Sequence, residues 1–152
     1  MAGRTRTPLA RVSAFWDASA LIPLCVRQSL TPRAIVLHNR HGVVVWWATA
    51  VEIASALARL LRMRQIDTAQ FAAATELAKT LADSWSVIQP FDSLRARAIQ
   101  LVGRYDLRAG DALQLAAALE WCEHLPQGRV FLTADQELRE AASIVGFEAN
   151  QM

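Results

Sequence analysis

The stretch Gly42-Val43-Val44-Val45-Trp46-Trp47-Ala48-Thr49-Ala50-Val51-Glu52 decides how the chain is read. Its first half is β-branched and aromatic without polar alternation, the pattern of a strand buried on both faces of a parallel sheet. Ala48-Thr49 then turns the chain into a long helix reaching about Met63. That helix carries Val51, Ala54, Leu57 and Leu61 on one side, with Glu52, Ser55, Arg59 and Arg62 spaced to share another. A buried strand that leads through a short link into a helix, with an acid at the helix head, sets the pattern against which the rest of the sequence is read, and no internal repeat appears.

Upstream, Val12-Ser13-Ala14-Phe15-Trp16 reads as a short buried strand that ends at Asp17, and small residues then let a helix run from Ala18 to about Val26. Thr31-Pro32 supplies an N-cap and a helix-tolerant proline, with the helix running to about Asn39 and Gly42 placed to close it. Downstream, Asp67-Thr68 opens a helix to about Ala82, and Trp85-Ser86-Val87-Ile88 is the third strand candidate. A helix follows from Asp92 to Gly103, then a loop, then an Ala/Leu-rich helix from Asp111 to Cys122. Arg129-Val130-Phe131-Leu132-Thr133 reads as the fourth strand, Asp135 to Ser143 as the last helix, and Gly146-Phe147-Glu148 as a candidate short fifth strand. Strands alternating with helices, with short links and no hairpin signals, predict an α/β fold: a mostly parallel central sheet of four to five strands, flanked by helices on both faces.

At 152 residues the chain is of single-domain length, and with 53% hydrophobic and 20% charged residues it reads as ordered and globular. Arg, Asp, Glu or Gln interrupts every apolar run before the roughly 20 residues of a bilayer span, so no membrane partner is expected. Arg4, Arg6 and Arg11 precede the first strand without any acid, but no apolar leader core with a cleavage site follows, so residues 1–11 read as a basic N-terminal extension. Cys25 and Cys122 sit far apart in apolar segments, where reduced core thiols are expected, and this points to the cytoplasm. The formal charge of +2 decides nothing, although Lys79 is the single lysine among sixteen basic residues and arginine suits forked contacts with phosphate.

In a parallel sheet, ligands bind beyond the carboxyl ends of the strands, and Asp17, Glu52 and Asp135 each follow a strand. Each acid also has a structural role open to it. Asp17 can cap the helix that follows; Thr49-Ala50-Val51-Glu52 and Thr133-Ala134-Asp135-Gln136 have the form of capping boxes, and Asp111-Ala112-Leu113-Gln114 has the Asp version. Capping, however, does not require helix ends to meet, whereas metal binding does. Carboxylates crowded in a partly desolvated cleft repel one another unless a cation neutralises them. All-oxygen donors with no cysteine or histidine beside any of the four suit Mg2+ or Mn2+ and argue against zinc; His38, His41 and His124 show no ligand spacing and read as surface or loop residues. Such a site serves phosphodiester hydrolysis without a side-chain nucleophile. The chain has no Gly-rich phosphate loop, GxGxxG or GxSxG, which weakens nucleotide-cofactor and serine-hydrolase readings.

Four ordered motifs carry a resemblance: Phe15-Trp16-Asp17-Ala18-Ser19-Ala20-Leu21, Thr49-Ala50-Val51-Glu52-Ile53-Ala54-Ser55-Ala56-Leu57, Arg108-Ala109-Gly110-Asp111-Ala112-Leu113-Gln114-Leu115-Ala116-Ala117-Ala118, and Phe131-Leu132-Thr133-Ala134-Asp135. On these the chain resembles the PIN domain family, and within it the VapC-type toxin ribonucleases, over residues 12–149. The resemblance implies a three-layer PIN domain with Asp17, Glu52 and Asp111 as catalytic metal ligands, Asp135 as a fourth acid on the metal or on its water, and Ser19 and Thr133 as hydrogen bonders behind them. It implies an Mg2+-dependent endoribonuclease, with Mn2+ as substitute, acting on RNA as the toxin of a toxin–antitoxin pair, silenced by a cognate antitoxin and expected to form a homodimer. A housekeeping RNA-processing nuclease, or a catalytically silent module that binds RNA or a partner helix, are the alternatives. Trp16, Trp46-Trp47 and the basic extension depart from the family pattern without touching an acid.

Arg59 and Arg62, beyond Glu52 on its helix, are candidates for a phosphate-binding rim, with a solvated helix face as the other reading. Trp46 and Trp47 point to opposite faces of a strand; core packing is the reading for each, and stacking on a base or partner the alternative for one. Asp92 is expected to cap its helix, and Asp106 and Glu120 to be surface charges.

Overall fold

A computed structural model of the protein describes residues 11–152, so the basic extension expected over residues 1–11 lies, except for Arg11, outside the described residues. The sheet has four parallel strands in the order β3-β2-β1-β4: β1 Val12–Trp16, β2 His41–Trp46, β3 Ser86–Ile88 and β4 Phe131–Leu132. The helices are α1 Ala18–Cys25, α2 Thr31–Arg40, α3 Thr49–Arg62, α4 Thr68–Ala82, α5 Asp92–Arg104, α6 Ala109–Trp121 and α7 Gln136–Val145.

Successive strand side chains point to opposite faces, and here both faces are apolar. Ala14 and Trp16 of β1, Val43 and Val45 of β2, and Leu132 of β4 pack with Leu21 of α1, Leu37 of α2, Ile53 and Leu57 of α3 and Ala74 of α4. Phe15, Val44, Trp46 and Phe131 face the other way, against Leu94 and Leu101 of α5, the alanines of α6 and Leu138 of α7. The result is three layers. Alanine at positions 112 and 116–118 leaves α6 a flat buried side, so this helix lies close against the sheet. Phe15 and Phe131 stack across β1 and β4 at 5.3 Å between centroids. Among the described residues no helix is long and apolar enough to cross a membrane.

The path of the chain sets where a site forms. From β1 the sheet grows to β2 and β3 on one side, then returns to add β4 on the other, so the order reverses at β1. Such a reversal opens a crevice at the carboxyl ends of the strands. Asp17 stands there, directly after β1.

Several local expectations shift. Gly42 does not close α2; it lies within β2, paired with Ser13. A Cβ at Gly42 would stand 3.4 Å from the Ser13 hydroxyl, so the position favours a small residue by close approach rather than by turn geometry. Thr31 is inside α2, and its hydroxyl donates back to the carbonyl of Pro23 at 2.7 Å while accepting from the Gln28 amide, so it ties α2 to the end of α1. Asp92 lies in the first turn of α5 without capping it and pairs with Arg95 at 3.0 Å. The fourth strand shortens to Phe131–Leu132, and the expected fifth reduces to one bridge between Val130 and Glu148. His38 is not a plain surface residue: it lies half-buried, edge-on to Trp16 at 6.1 Å. Of the two tryptophans, Trp46 is core and Trp47 is 55% exposed.

Candidate functional site

Asp17 closes β1 and caps α1, accepting the Ser19 amide at 3.3 Å, yet it is only 5% exposed. The Ser19 hydroxyl and the Thr133 hydroxyl, the latter at 2.9 Å, meet the same oxygen, Oδ2. Both hydroxyls are in turn held by the backbone. The amide of Ala134 donates to Ser19 Oγ at 2.9 Å and the amide of Asp135 to Thr133 Oγ1 at 3.0 Å. Each hydroxyl thus accepts from the backbone on one side and donates its single proton to Asp17 on the other. Asp135 caps α7, accepting the Leu138 amide at 2.8 Å, and Thr133 is not the cap that its motif predicted.

Glu52 and Asp111 also miss their expected caps. The N-cap of α3 is Ala48, so Thr49 is already helical and Glu52 falls one position beyond a capping-box glutamate. Its carboxylate instead accepts the side-chain amide of Gln114, Nε2 to Oε2, at 2.8 Å. α6 starts at Ala109 with Arg108 as N-cap, which places Asp111 in the first turn with its side chain uncommitted to the backbone. α6 thus contributes Asp111 and, one turn on, Gln114.

The four acids share one electrostatic environment. Asp111 is pushed up to about 6, by burial first and then by the charges of Asp135 and Asp17, with Arg108 opposing. Glu52 is raised by burial, with Asp17 and Asp111 adding to it and Gln114 and Trp46 opposing. Burial raises Asp17 as well, against its hydroxyl and amide donors. The indole nitrogen of Trp46 lies near the Glu52 carboxylate but closes no hydrogen bond, and it is buried without a partner. Arg108, Asp111, Asp135, Gln136, Glu137 and Glu140 line a cavity of about 520 Å³; Asp17 and Glu52 lie outside this lining.

The donor set fits a hard divalent cation, because it offers carboxylate oxygens with no sulfur or imidazole among them. Among the described residues no group of three His, Cys, Asp or Glu side chains is arranged to hold an ion as they stand. Glu52 is turned to Gln114 through one oxygen, and Asp17 gives one oxygen to the hydroxyls.

Arg59 and Arg62 are exposed on the last turns of α3. At 1.5 Å per residue they lie about 10 and 15 Å along the helix from Glu52, away from the cavity. Gln114 and Arg108 were not read as site residues from sequence. The signal for Gln114 was its spacing of one helical turn from Asp111; for Arg108 it was a cation just ahead of an acid at a helix head.

No family model matches the sequence, and no curated protein matches it. Solved structures do. A chain of a toxin–antitoxin complex from Klebsiella pneumoniae superposes with a TM-score of 0.60 at 15% identity, over 82% of this chain and 89% of that one. PAE2754 from Pyrobaculum aerophilum gives 0.60 at 25% identity, over 91% and 89%. FitAcB from Neisseria gonorrhoeae gives 0.62 at 16% identity, over 89% and 96%. The likeness extends along nearly the whole of each chain and shows a shared three-layer, PIN-like α/β fold.

Proposed function

We propose that the protein is a metal-dependent endoribonuclease that acts in the cytoplasm as the toxin of a toxin–antitoxin pair. The observation that supports this reading is that Asp17, Glu52, Asp111 and Asp135, drawn from four separate segments, lie near enough at the sheet edge where the strand order reverses for their charges to act on one another. Likeness to a chain of a toxin–antitoxin complex supports the biological role, with an antitoxin as partner. A homodimer follows from the family resemblance.

Asp17, Glu52 and Asp111 would hold Mg2+ or Mn2+, with Asp135 on the ion or its water. When bound, the cation lowers the pKa of an attacking water and offsets charge developing on the phosphate. The protein supplies the framework. Ser19 and Thr133 donate to Asp17 and so offset part of the burial that raises it, and Gln114 orients Glu52. Asp111, poised at about 6, loses its proton readily near neutral pH. Arg108 stands beside the acids to meet a phosphate oxygen.

A silent RNA- or partner-binding module is the second reading, favoured by the absence, among the described residues, of a ready-made group of three ligands. Cleavage of a labelled RNA panel with Mg2+ or Mn2+, beside EDTA and Asp17→Asn controls, decides between them. Cleavage that requires both metal and Asp17 is expected. An Asp17→Asn variant that cuts as well as wild type removes the assigned site, and folded wild type that neither binds metal at millimolar concentration nor cuts establishes the silent module.

A further inference from the structure

At the far end of α6 from Asp111 lies a second cavity, of about 350 Å³, that shares no lining residue with the acidic one. Its cationic wall is one edge of α5, where Arg97, Gln100 and Arg104 recur at intervals of three and four residues and so form a row of donors. His124 and Gln127, from the turn that follows α6, stand across from them. No carboxylate lines the cavity. Among the described residues neither arginine has an acidic partner: Arg97 reaches only Gln100, and Arg104 lies over the ring of Tyr105 at 5.7 Å. Glu120, outside the lining, faces His124 at 3.7 Å. Leu101, Leu119 and Val145 give the cavity an apolar floor beside the half-buried Tyr105.

We infer that this cavity is a second RNA-binding site, which grips a single-stranded segment away from the scissile bond. The inference rests on the reading of RNA as substrate. A cluster of acids repels a polyanion, so affinity for the strand has to come from elsewhere on the protein. The cavity offers what a nucleotide needs: forked arginines for phosphate along a row, and an apolar floor with an aromatic edge for an unstacked base. A purely acidic peptide such as poly-glutamate would use the cations and leave the floor empty, whereas a nucleotide uses both.

Binding of a fluorescently labelled single-stranded RNA to the full chain, in EDTA across a salt series, tests this without reference to cleavage. Arg97→Gln/Arg104→Gln is expected to bind about tenfold more weakly, the scale of two solvent-exposed charge contacts. Its salt slope is expected to be shallower by about 1.4, from about 0.7 per lost phosphate contact on single strands. Arg33→Gln/Arg95→Gln, which removes equal charge elsewhere, is expected to bind like wild type, with thermal melts confirming that both variants fold. Equal binding and slope in wild type and Arg97→Gln/Arg104→Gln, equal losses in the two double variants, or competition by poly-glutamate as strong as by RNA would each overturn the site. RNA binding through this cavity by a protein that never cuts would leave the site standing and remove the nuclease reading. Cleavage with no effect of the arginines on binding would do the reverse.

Discussion

Replacing Gln114 separates structural from positioning roles at the site. Its side chain is fully buried; the amide nitrogen holds Glu52 at 2.8 Å, while the carbonyl oxygen is buried without a partner. Gln114→Leu removes a hydrogen bond to a carboxylate, which costs about 1.5–3 kcal/mol, and also removes an unsatisfied buried acceptor, which returns about 1–3 kcal/mol. The two nearly cancel, so the metal-free protein should change by less than about 1 kcal/mol, or within about 4 °C in Tm for a chain of this size. Gln114→Ala makes the same polar exchange but also leaves a cavity. By analogy with other large-to-small changes it should lose about 2–5 kcal/mol. Glu52 is released in both, free to turn to the unpartnered Trp46 indole, and metal affinity or RNA cleavage should fall about 10–100-fold. Thermal melts in EDTA, followed by Mn2+ titration of both variants, read the two effects separately. A Gln114→Leu protein as unstable as Gln114→Ala, with wild-type metal affinity, would refute the reasoning.

Three further outcomes follow from the same geometry. Asp111, Asp17 and Glu52 all have folded-state pKa values raised above those of the unfolded chain, so the folded state binds protons more tightly. Their contribution to stability is therefore full below about pH 4 and is lost as pH rises through the raised folded-state values, about 6 for Asp111. Urea midpoints in EDTA should fall across that window; a flat or rising midpoint would mean that the acids are not crowded. Asp111→Asn should flatten this pH dependence and raise the metal-free Tm, while adding Mg2+ should stabilise wild type more than the variant; equal Mg2+ shifts would remove Asp111 from the ion. Gly146 ends α7 at φ 122°, and a Cβ there would stand 3.1 Å from Pro126 Cγ and from Gln127 Nε2. Gly146→Ala should therefore destabilise by about 1–3 kcal/mol in chemical denaturation, and an unchanged midpoint would show that the turn relaxes freely.

The sheet was legible because β1 and β2 are buried on both faces, so their apolar runs have no competing period. Strands β3 and β4 were visible but longer in sequence than in space. Thr133 extends the apolar pattern of β4, yet its hydroxyl is drawn into the Asp17 network and the chain turns there. The four acids were legible by their places after strands and at helix heads. Their caps were not, because a capping pattern specifies a helix start only to within a residue or two. α3 begins so that Thr49 is already helical, and α6 begins two residues before Asp111; these small slides free two carboxylates from backbone duty. The partnership of Gln114 with Glu52 joins two helices 62 positions apart, and no local pattern encodes it.

The anchoring of Asp17 also has a consequence for synthesis. Its two hydroxyl donors depend on the backbone of Ala134 and Asp135, and β1 gains its outer neighbour only when Phe131–Leu132 arrives beside it. A growing chain carries Asp17 for more than a hundred residues, and Glu52 for about eighty, before the segment that holds Asp17 in place is made. Pairing β4 with β1 closes a loop of more than a hundred residues, a non-local contact whose closure entropy slows folding. Translation order thereby keeps this edge of the sheet incomplete until residues 131–135 have been made.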